Sequence, residues 1–294
     1  MHASTVPLPG DGWSLWPAPA KLNLFLRIIG RRADGYHLLQ TVFQLLDWGD
    51  DIALRTRADG RIVRQRGAPG VIARDDLAVR AALALRAATG CELGADIDID
   101  KRIPSGGGFG GGSSDAATVL VGLNRIWRLH LPADELARIG LALGADVPVF
   151  VHGRSAFAEG VGERLAPLAL PRRWFLLVDP GFGVSTAELF RAPDLTRDAL
   201  PTTIADFLSG SVSGNAFESV LRKRSARIGA ALDALASFGT PHVTGTGAGL
   251  FLAFDDPARA DAVRARLPPE WRAWVAAGVD ESPLRRCPSL LAID

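Results

Sequence analysis

Cysteine, lysine, tyrosine and methionine are all scarce in this chain of 294 residues, and the shortage of cysteine removes the disulfide-stapled folds. The two cysteines, Cys91 and Cys287, cannot staple a chain of this length and stand in no CxxC spacing, so a reducing compartment is the simple expectation and both are read as packing residues. Excess charge is also missing. Thirty-three basic residues face 32 acidic ones, a formal charge of +1, which lacks the basic footprint that a nucleic-acid backbone requires. Every apolar run is cut by Gly, Pro or a charge within about a dozen residues, short of the roughly 18–20 of a spanning helix, and the N-terminus shows no basic-then-apolar signal pattern. A cytoplasmic protein without nucleic-acid or membrane partners is therefore expected. With 48% hydrophobic and 22% charged residues, the chain is globular and of the length at which one core gives way to two.

Scarcity also points at particular residues. Of the 33 basic residues only Lys21, Lys101 and Lys223 are lysine, and Tyr36 is the single tyrosine against 13 phenylalanines. A residue type kept rarely under such a bias marks positions its default cannot fill, because a compact ammonium and a planar guanidinium are not equivalent in a tight site. Lys21 and Tyr36 become candidates on this ground, and drift is the alternative.

Patterning predicts a mixed α+β chain in two domains, residues 1–170 and 171–294, parted near Pro171 and Arg172-Arg173. Residues 1–16 read as a loose leader. Structure is expected to begin at Ala20, with an alternating strand from Lys21 to Ile29, a turn at Asp34-Gly35, and strands at Leu38–Leu46 and Asp51–Arg57. Asp75 to Thr89 reads as a helix closed by Gly90. The strict alternation from Asp96 to Lys101 predicts an antiparallel or edge strand with one wet face. Helices are expected at about Ser114–Arg128, Ala133–Leu143, Ala216–Phe238 and Pro257–Leu267, with strands near Val149–His152, Ser155–Glu159, Trp174–Val178, Leu250–Phe254 and Trp271–Val279. The Ser, Thr, Pro and Gly content of 194–214 reads as mobile loop around one short helix. The second half is expected to be a small α+β sandwich.

The strongest local signal is Pro104-Ser105-Gly106-Gly107-Gly108-Phe109-Gly110-Gly111-Gly112-Ser113-Ser114, set between a strand and a helix. Glycines before a helix expose successive backbone N–H groups at the positive end of the dipole with no Cβ in the way, an arrangement that cradles phosphate. Gly106-x-Gly108-x-x-Gly111 formally fits the dinucleotide fingerprint, but the preceding strand alternates Ile with Asp and no acidic residue follows at the right distance. The absence of a Lys-Ser/Thr pair after the glycines removes the Walker loop, which leaves a third class. Asp146, alone in Leu143-Gly144-Ala145-Asp146-Val147-Pro148, is a carboxylate in apolar surroundings, held by a cation or kept for proton transfer. Lys21 is its candidate partner. A helix cap or structural ion pair is the plainer reading.

These segments, together with Pro19-Ala20-Lys21-Leu22-Asn23-Leu24, Asp34-Gly35-Tyr36-His37-Leu38 and Thr244-Gly245-Thr246-Gly247-Ala248, resemble the GHMP kinases, in order and over nearly the whole chain. The resemblance implies a two-domain α+β fold with the active site in the cleft between domains. It implies a small-molecule kinase using ATP and Mg²⁺ whose substrate is a cytidine diphosphate conjugate of methylerythritol; the Lys-Leu-Asn-Leu and Gly-Tyr-His motifs separate that branch from homoserine, mevalonate and galactose kinases. Asp146 would deprotonate the substrate hydroxyl, Lys21 would fix Asp146 and stabilise the migrating phosphoryl group, and Pro104 to Ser114 would wrap the ATP phosphates. Tyr36 and Phe190 would sandwich the cytosine, His37 would read its edge, and Asn23 and Thr186 would lie along the rest of the substrate. Gly245, Gly247 and Ala248 would let the second domain's backbone close in. The metal ligands are not fixed, with Ser114 one possibility. Asp76 stands where the family pattern has Asn, which leaves its adenine contact open. A dinucleotide-dependent oxidoreductase and a catalytically silent nucleotide-binding relative stay as alternatives.

Overall fold

The structure is a computed structural model that describes residues 11–287. Its strands are β1 (Ser14–Arg31), β2 (His37–Arg57), β3 (Ile62–Arg64), β4 (Gly94–Asp100), β5 (Ala156–Glu159), β6 (Arg164–Pro167), β7 (Trp174–Asp179), β8 (His242–Val243), β9 (Leu250–Phe254) and β10 (Arg272–Val279). Its helices are α1 (Leu77–Thr89), α2 (Gly111–Ile126), α3 (Ala133–Leu141), α4 (Val147–His152), α5 (Thr186–Arg191), α6 (Ile204–Leu208), α7 (Glu218–Arg224), α8 (Ala226–Leu235) and α9 (Pro257–Arg264). The long strand β2 organises them: β1 runs along one side, and β5, β10 and β4 pair with successive stretches of the chain. From β10 the sheet continues through β7 and β9 to β8.

Four apolar clusters follow from this layout, the smallest of them around Phe25, Val42, Phe157 and Val212. One lies under α1, α2, α3 and α4 and includes Cys287, with Cys91 packed at its margin. A second lies under α7, α8 and α9 and takes in Leu26 and Ile28 from β1. The third, around Ala20, Leu22, Leu46, Phe109, Phe175 and Phe251, joins residues of β1 and β2 to those of β7 and β9 where β10 pairs with β2. Phe109 anchors the glycine loop in this seam.

Several expectations give way to tertiary context. Of the expected leader, residues 1–10 lie outside the described residues, but β1 already starts at Ser14, because Trp16 and Ala18 continue the buried alternation of Ala20 and Leu22. Pro17 and Pro19 fit within it because, apart from a bridge at Leu26, β1 ladders with β2 alone among the described strands. The expected pair of strands in 38–57 is one strand, since at Gly49 a Cβ would lie 2.1 Å from the Ala18 carbonyl oxygen and glycine lets β1 pass. The acidic face of β4 is not wet. Asp96 is clasped by Arg55 and Arg57 and Asp98 by Arg66, so alternation there records charge pairing, and β4 sits between antiparallel β2 and parallel β3. Val147–His152 is helix α4 and not a strand: Pro148 sits in its first turn, Gly153 closes it in the left-handed region, and burial of the Val-rich run overrides β propensity. The expected helix over 216–238 breaks into α7 and α8 at Ser225, whose extended backbone ends one and whose hydroxyl caps the other. Helix α2 starts at Gly111, inside the glycine run.

Candidate active site

A cleft of about 630 Å³ opens above the seam, lined by the glycine loop, Lys21, Asn23, Asp146, Thr186, Phe190 and the Gly245-Thr246 turn. At its floor Lys21, only 2% exposed, donates from Nζ to Asn23 Oδ1 at 2.6 Å and pairs with Asp146 Oδ2 at 3.2 Å. The Asn23 amide nitrogen donates to Thr41 Oγ1 (2.9 Å), which in turn donates to the Phe25 carbonyl (2.5 Å). This buried chain of donors fixes the ammonium. Two of its three protons are taken by Asn23 and Asp146, which leaves one for an anion in the cleft. Asp146 is at the N-cap position of α4 but its carboxylate makes no cap bond, and at 32% exposure it faces the cleft more openly than the lysine does.

The loop is pinned on two sides. Lys21 N–H donates to the Phe109 carbonyl (3.0 Å), and Gly249 N–H to the Gly107 carbonyl (3.0 Å). At Gly108, with φ +75°, a Cβ would lie 2.2 Å from the Thr244 carbonyl oxygen, so only glycine permits this approach. Ser114 N–H is the first to bond back into α2, to the Gly110 carbonyl (2.9 Å), and no side chain caps the helix. The amides of Gly111, Gly112 and Ser113 therefore remain as donors at the positive end of the dipole. Such an arrangement can hold an anion, and Lys21 lines the same cleft.

The expected site residues are not all brought together. Pro104 through Ser113 line the cleft, whereas the Ser114 hydroxyl is buried and donates to the Pro19 carbonyl at 2.6 Å, so it is turned from the cleft and unavailable as a metal ligand. Gly247 also stands back from the cleft wall, held by its N–H to the Thr244 carbonyl, and Thr246 lines the wall instead. Thr186 lies at the mouth, its hydroxyl 2.8 Å from that of Thr246. Phe190 lines the cleft, but its ring stacks on His37 (4.9 Å, 30°) and meets Phe217 edge-on. Tyr36, 64% exposed after the Asp34-Gly35 turn, lies outside that ring cluster. Asp76 caps α1 through Ala78 N–H and pairs with Arg64, which explains the carboxylate at that position.

Sequence reasoning missed Lys101 and Asp115, although the scarcity of lysine applied to Lys101 as well. Lys101 is buried between Asp50 (2.5 Å) and Asp115 (2.7 Å) at the edge of the cleft, and Asp115 Oδ1 has no partner. Burial, reinforced by the Asp50 carboxylate and only partly offset by Lys101, holds the Asp115 carboxyl well above its usual range. A carboxyl whose pKa is raised in the folded state supports folding below its ordinary pKa and loses that contribution as pH rises through the raised value. Asp115→Asn is accordingly expected to melt above the wild type near pH 8, by about 2–4 °C for each kcal/mol relieved, with the gap closing towards about pH 4. Thermal unfolding across that range checks it; an Asn variant that melts lower at both ends contradicts the upward shift of the Asp115 carboxyl.

Comparison with known proteins agrees with this geometry. The family model "GHMP kinases N terminal domain" matches residues 76–154, the stretch holding the loop, α2 and Asp146. The chain is 61% identical over 277 residues to the 4-diphosphocytidyl-2-C-methyl-D-erythritol kinase of Xanthomonas oryzae, covering 94% of each, and 59% identical over 276 residues to that of Xylella fastidiosa, covering 94% of this chain and 93% of that one. The chain belongs to the 4-diphosphocytidyl-2-C-methyl-D-erythritol kinase family. A crystal structure of 4-(cytidine 5'-diphospho)-2C-methyl-D-erythritol kinase superposes with a TM-score of 0.78 at 33% identity over 90% of this chain and all of that one. A mevalonate kinase from Methanococcus jannaschii shares the fold, with a TM-score of 0.66 at 15% identity, covering 93% of this chain and 100% of that one. The protein is thus a small-molecule kinase of GHMP fold, a family that uses ATP. Among the described residues no helix is long and apolar enough to cross a membrane.

Proposed function

We propose that this kinase transfers the γ-phosphoryl group of ATP to the 2-hydroxyl of 4-diphosphocytidyl-2-C-methyl-D-erythritol, giving the 2-phosphate and ADP, a step in the non-mevalonate supply of isoprenoid precursors. The observation that carries it is the Lys21–Asp146 pair standing open to the same cleft as the uncapped start of α2. Asp146 accepts the hydroxyl proton, Lys21 holds Asp146 and meets the migrating phosphoryl charge, and the loop amides hold the donor phosphates; positioning and electrostatics suffice for this chemistry. A Mg²⁺ ion would be held chiefly by the nucleotide phosphates and water and would neutralise phosphate charge during transfer. The division near Pro171 is kept as a proposal that places the ATP loop in the first unit, in a protein of the cytoplasm. ADP release coupled to the cytidine substrate tests the reading; ATP binding without turnover favours a silent relative.

The cytidine end is assigned to the side of the cleft where Phe190 lines the wall, with His37 stacked on the Phe190 ring and the exposed Tyr36 next to it in the chain, and with Thr186 and Asn23 on the path to Asp146. Stacking on an aromatic ring is worth about 1–3 kcal/mol per base. Tyr36→Ala is expected to raise KM for the cytidine substrate by about one to two decades and leave KM for ATP within a few-fold, while Tyr36→Phe stays mild. Paired saturation curves decide the matter. A variant that loses ATP affinity and spares the cytidine substrate reverses the two nucleotide sites.

A further inference from the structure

The loop after α5 carries Arg197, a residue that nothing above uses, and four of its five guanidinium donors are committed. Its Nε donates to His37 Nε2 at 3.2 Å, Nη1 to the Leu195 carbonyl at 3.0 Å, and Nη2 to the carbonyls of Phe190 at 2.8 Å and Ala192 at 2.7 Å. One side chain thus grips both members of the stacked pair His37–Phe190 and the C-terminal end of the helix that bears Phe190. Lysine could not do this, because only the planar fork presents several donors in fixed directions.

The contact also dictates chemistry. Guanidinium has donors and no acceptor, and it stays charged, so the imidazole nitrogen facing it must be the unprotonated one. A neutral imidazole with Nε2 unprotonated carries its proton on Nδ1. Burial and the positive charges of Arg197 and Arg31 hold the His37 imidazole below its usual range, which agrees with a neutral ring. Among the described residues no hydrogen bond satisfies His37 Nδ1, so its N–H remains available.

We propose that Arg197 is a positioning residue for substrate choice: it fixes His37 as the neutral Nδ1–H tautomer and holds Phe190 beside it, presenting one oriented donor to an acceptor on the edge of a pyrimidine ring. The proposal rests on assigning the cytidine end to this side of the cleft. A histidine free to flip or to exchange tautomers would offer a donor only part of the time; Arg197 removes that choice before the substrate arrives.

Two measurements test it. Nitrogen-15 NMR of the five histidines, with His37→Phe to assign the signal, is expected to show His37 protonated at Nδ1 and bare at Nε2 at neutral pH. Arg197→Gln is expected to bring back the second tautomer, raise the His37 pKa, and raise KM for the cytidine substrate about tenfold with kcat and KM for ATP within a few-fold. Arg197→Lys, which keeps the charge without the fork, should share the KM effect and guards against a folding defect in the Gln variant. In a His37→Phe background Arg197→Gln should add less than about twofold, since the two act through one contact. A proton on Nε2 in the wild type overturns the proposal, and so does a full additional effect in the His37→Phe background, which would leave Arg197 as a clamp on α5 alone. If His37→Phe raises KM while both Arg197 variants leave it unchanged, the positioning role fails and the cytidine assignment stands. If His37→Phe itself leaves KM unchanged, the cytidine assignment fails instead.

Discussion

Asp146→Asn is expected to lower kcat by two to four decades, about 3–5 kcal/mol of transition-state stabilisation, with KM for ATP changed by no more than a few-fold. The structure separates this loss from any loss of fold. Asp146 stands at the start of α4, yet its carboxylate caps nothing, and α4 is held by the burial of Val147, Pro148, Val149, Phe150 and Val151. Its ion pair with Lys21 has one half-open partner, and the ammonium keeps Asn23 Oδ1 when the charge is removed. Melting should fall by about 1–3 kcal/mol equivalent, because the buried ammonium loses its countercharge but keeps Asn23 Oδ1 and stays in contact with the cleft. Asparagine preserves shape and one hydrogen bond but cannot take a proton at neutral pH. Single-turnover ADP release, read beside thermal unfolding, checks both halves; near-normal turnover in a folded variant removes Asp146 from the chemistry.

Much of this site is legible in the sequence because its chemistry is local. The glycine run must carry its own backbone donors into α2, and the pairing of Lys21 with Asp146 follows from the cost of leaving either charge alone in apolar surroundings. What escapes is set by partners distant in the chain. Gly49 reads as a break until Ala18 is seen against it, and Val149–His152 reads as a strand until burial of Val149, Phe150 and Val151 makes helix the better packing. Asp96 and Asp98 signal water to a reader of periodicity, whereas Arg55, Arg57 and Arg66 supply the countercharge. Arg197 was invisible for a different reason. In a chain where arginine is the default cation, no single arginine stands out, and only its four acceptors distinguish it. Ser225 is a related case, since one polar residue in a helical pattern is ordinary until its backbone turns extended.

The scarcity of lysine makes a sharper forecast. Lys21→Arg is expected to reduce kcat nearly as far as Lys21→Ala, by at least about two decades, the scale of losing a preorganised donor at a developing charge. Space decides this. The Lys21 stem is packed so closely against the loop that a Cβ at Gly110 would lie 3.0 Å from its Cγ and 2.9 Å from Phe150 Cζ. At the other end the ammonium sits 2.6 Å from Asn23 Oδ1, itself buried and held by Thr41, and 5.5 Å from the centre of the Phe43 ring. A guanidinium is wider and flat, and to enter it must push Asn23 aside or project past Asp146 into the space a phosphoryl group needs. Either way the charge survives and its position does not. Lys223 supplies the control, since it is 66% exposed on α7 and makes one surface pair with Asp194 at 3.1 Å, so Lys223→Arg should leave kcat, KM and melting unchanged. Steady-state rates on the three variants under one set of conditions make the comparison. If Lys21→Arg works as well as Lys223→Arg, the ammonium is interchangeable with any cation there, and the retention of lysine at position 21 says nothing about the phosphoryl group.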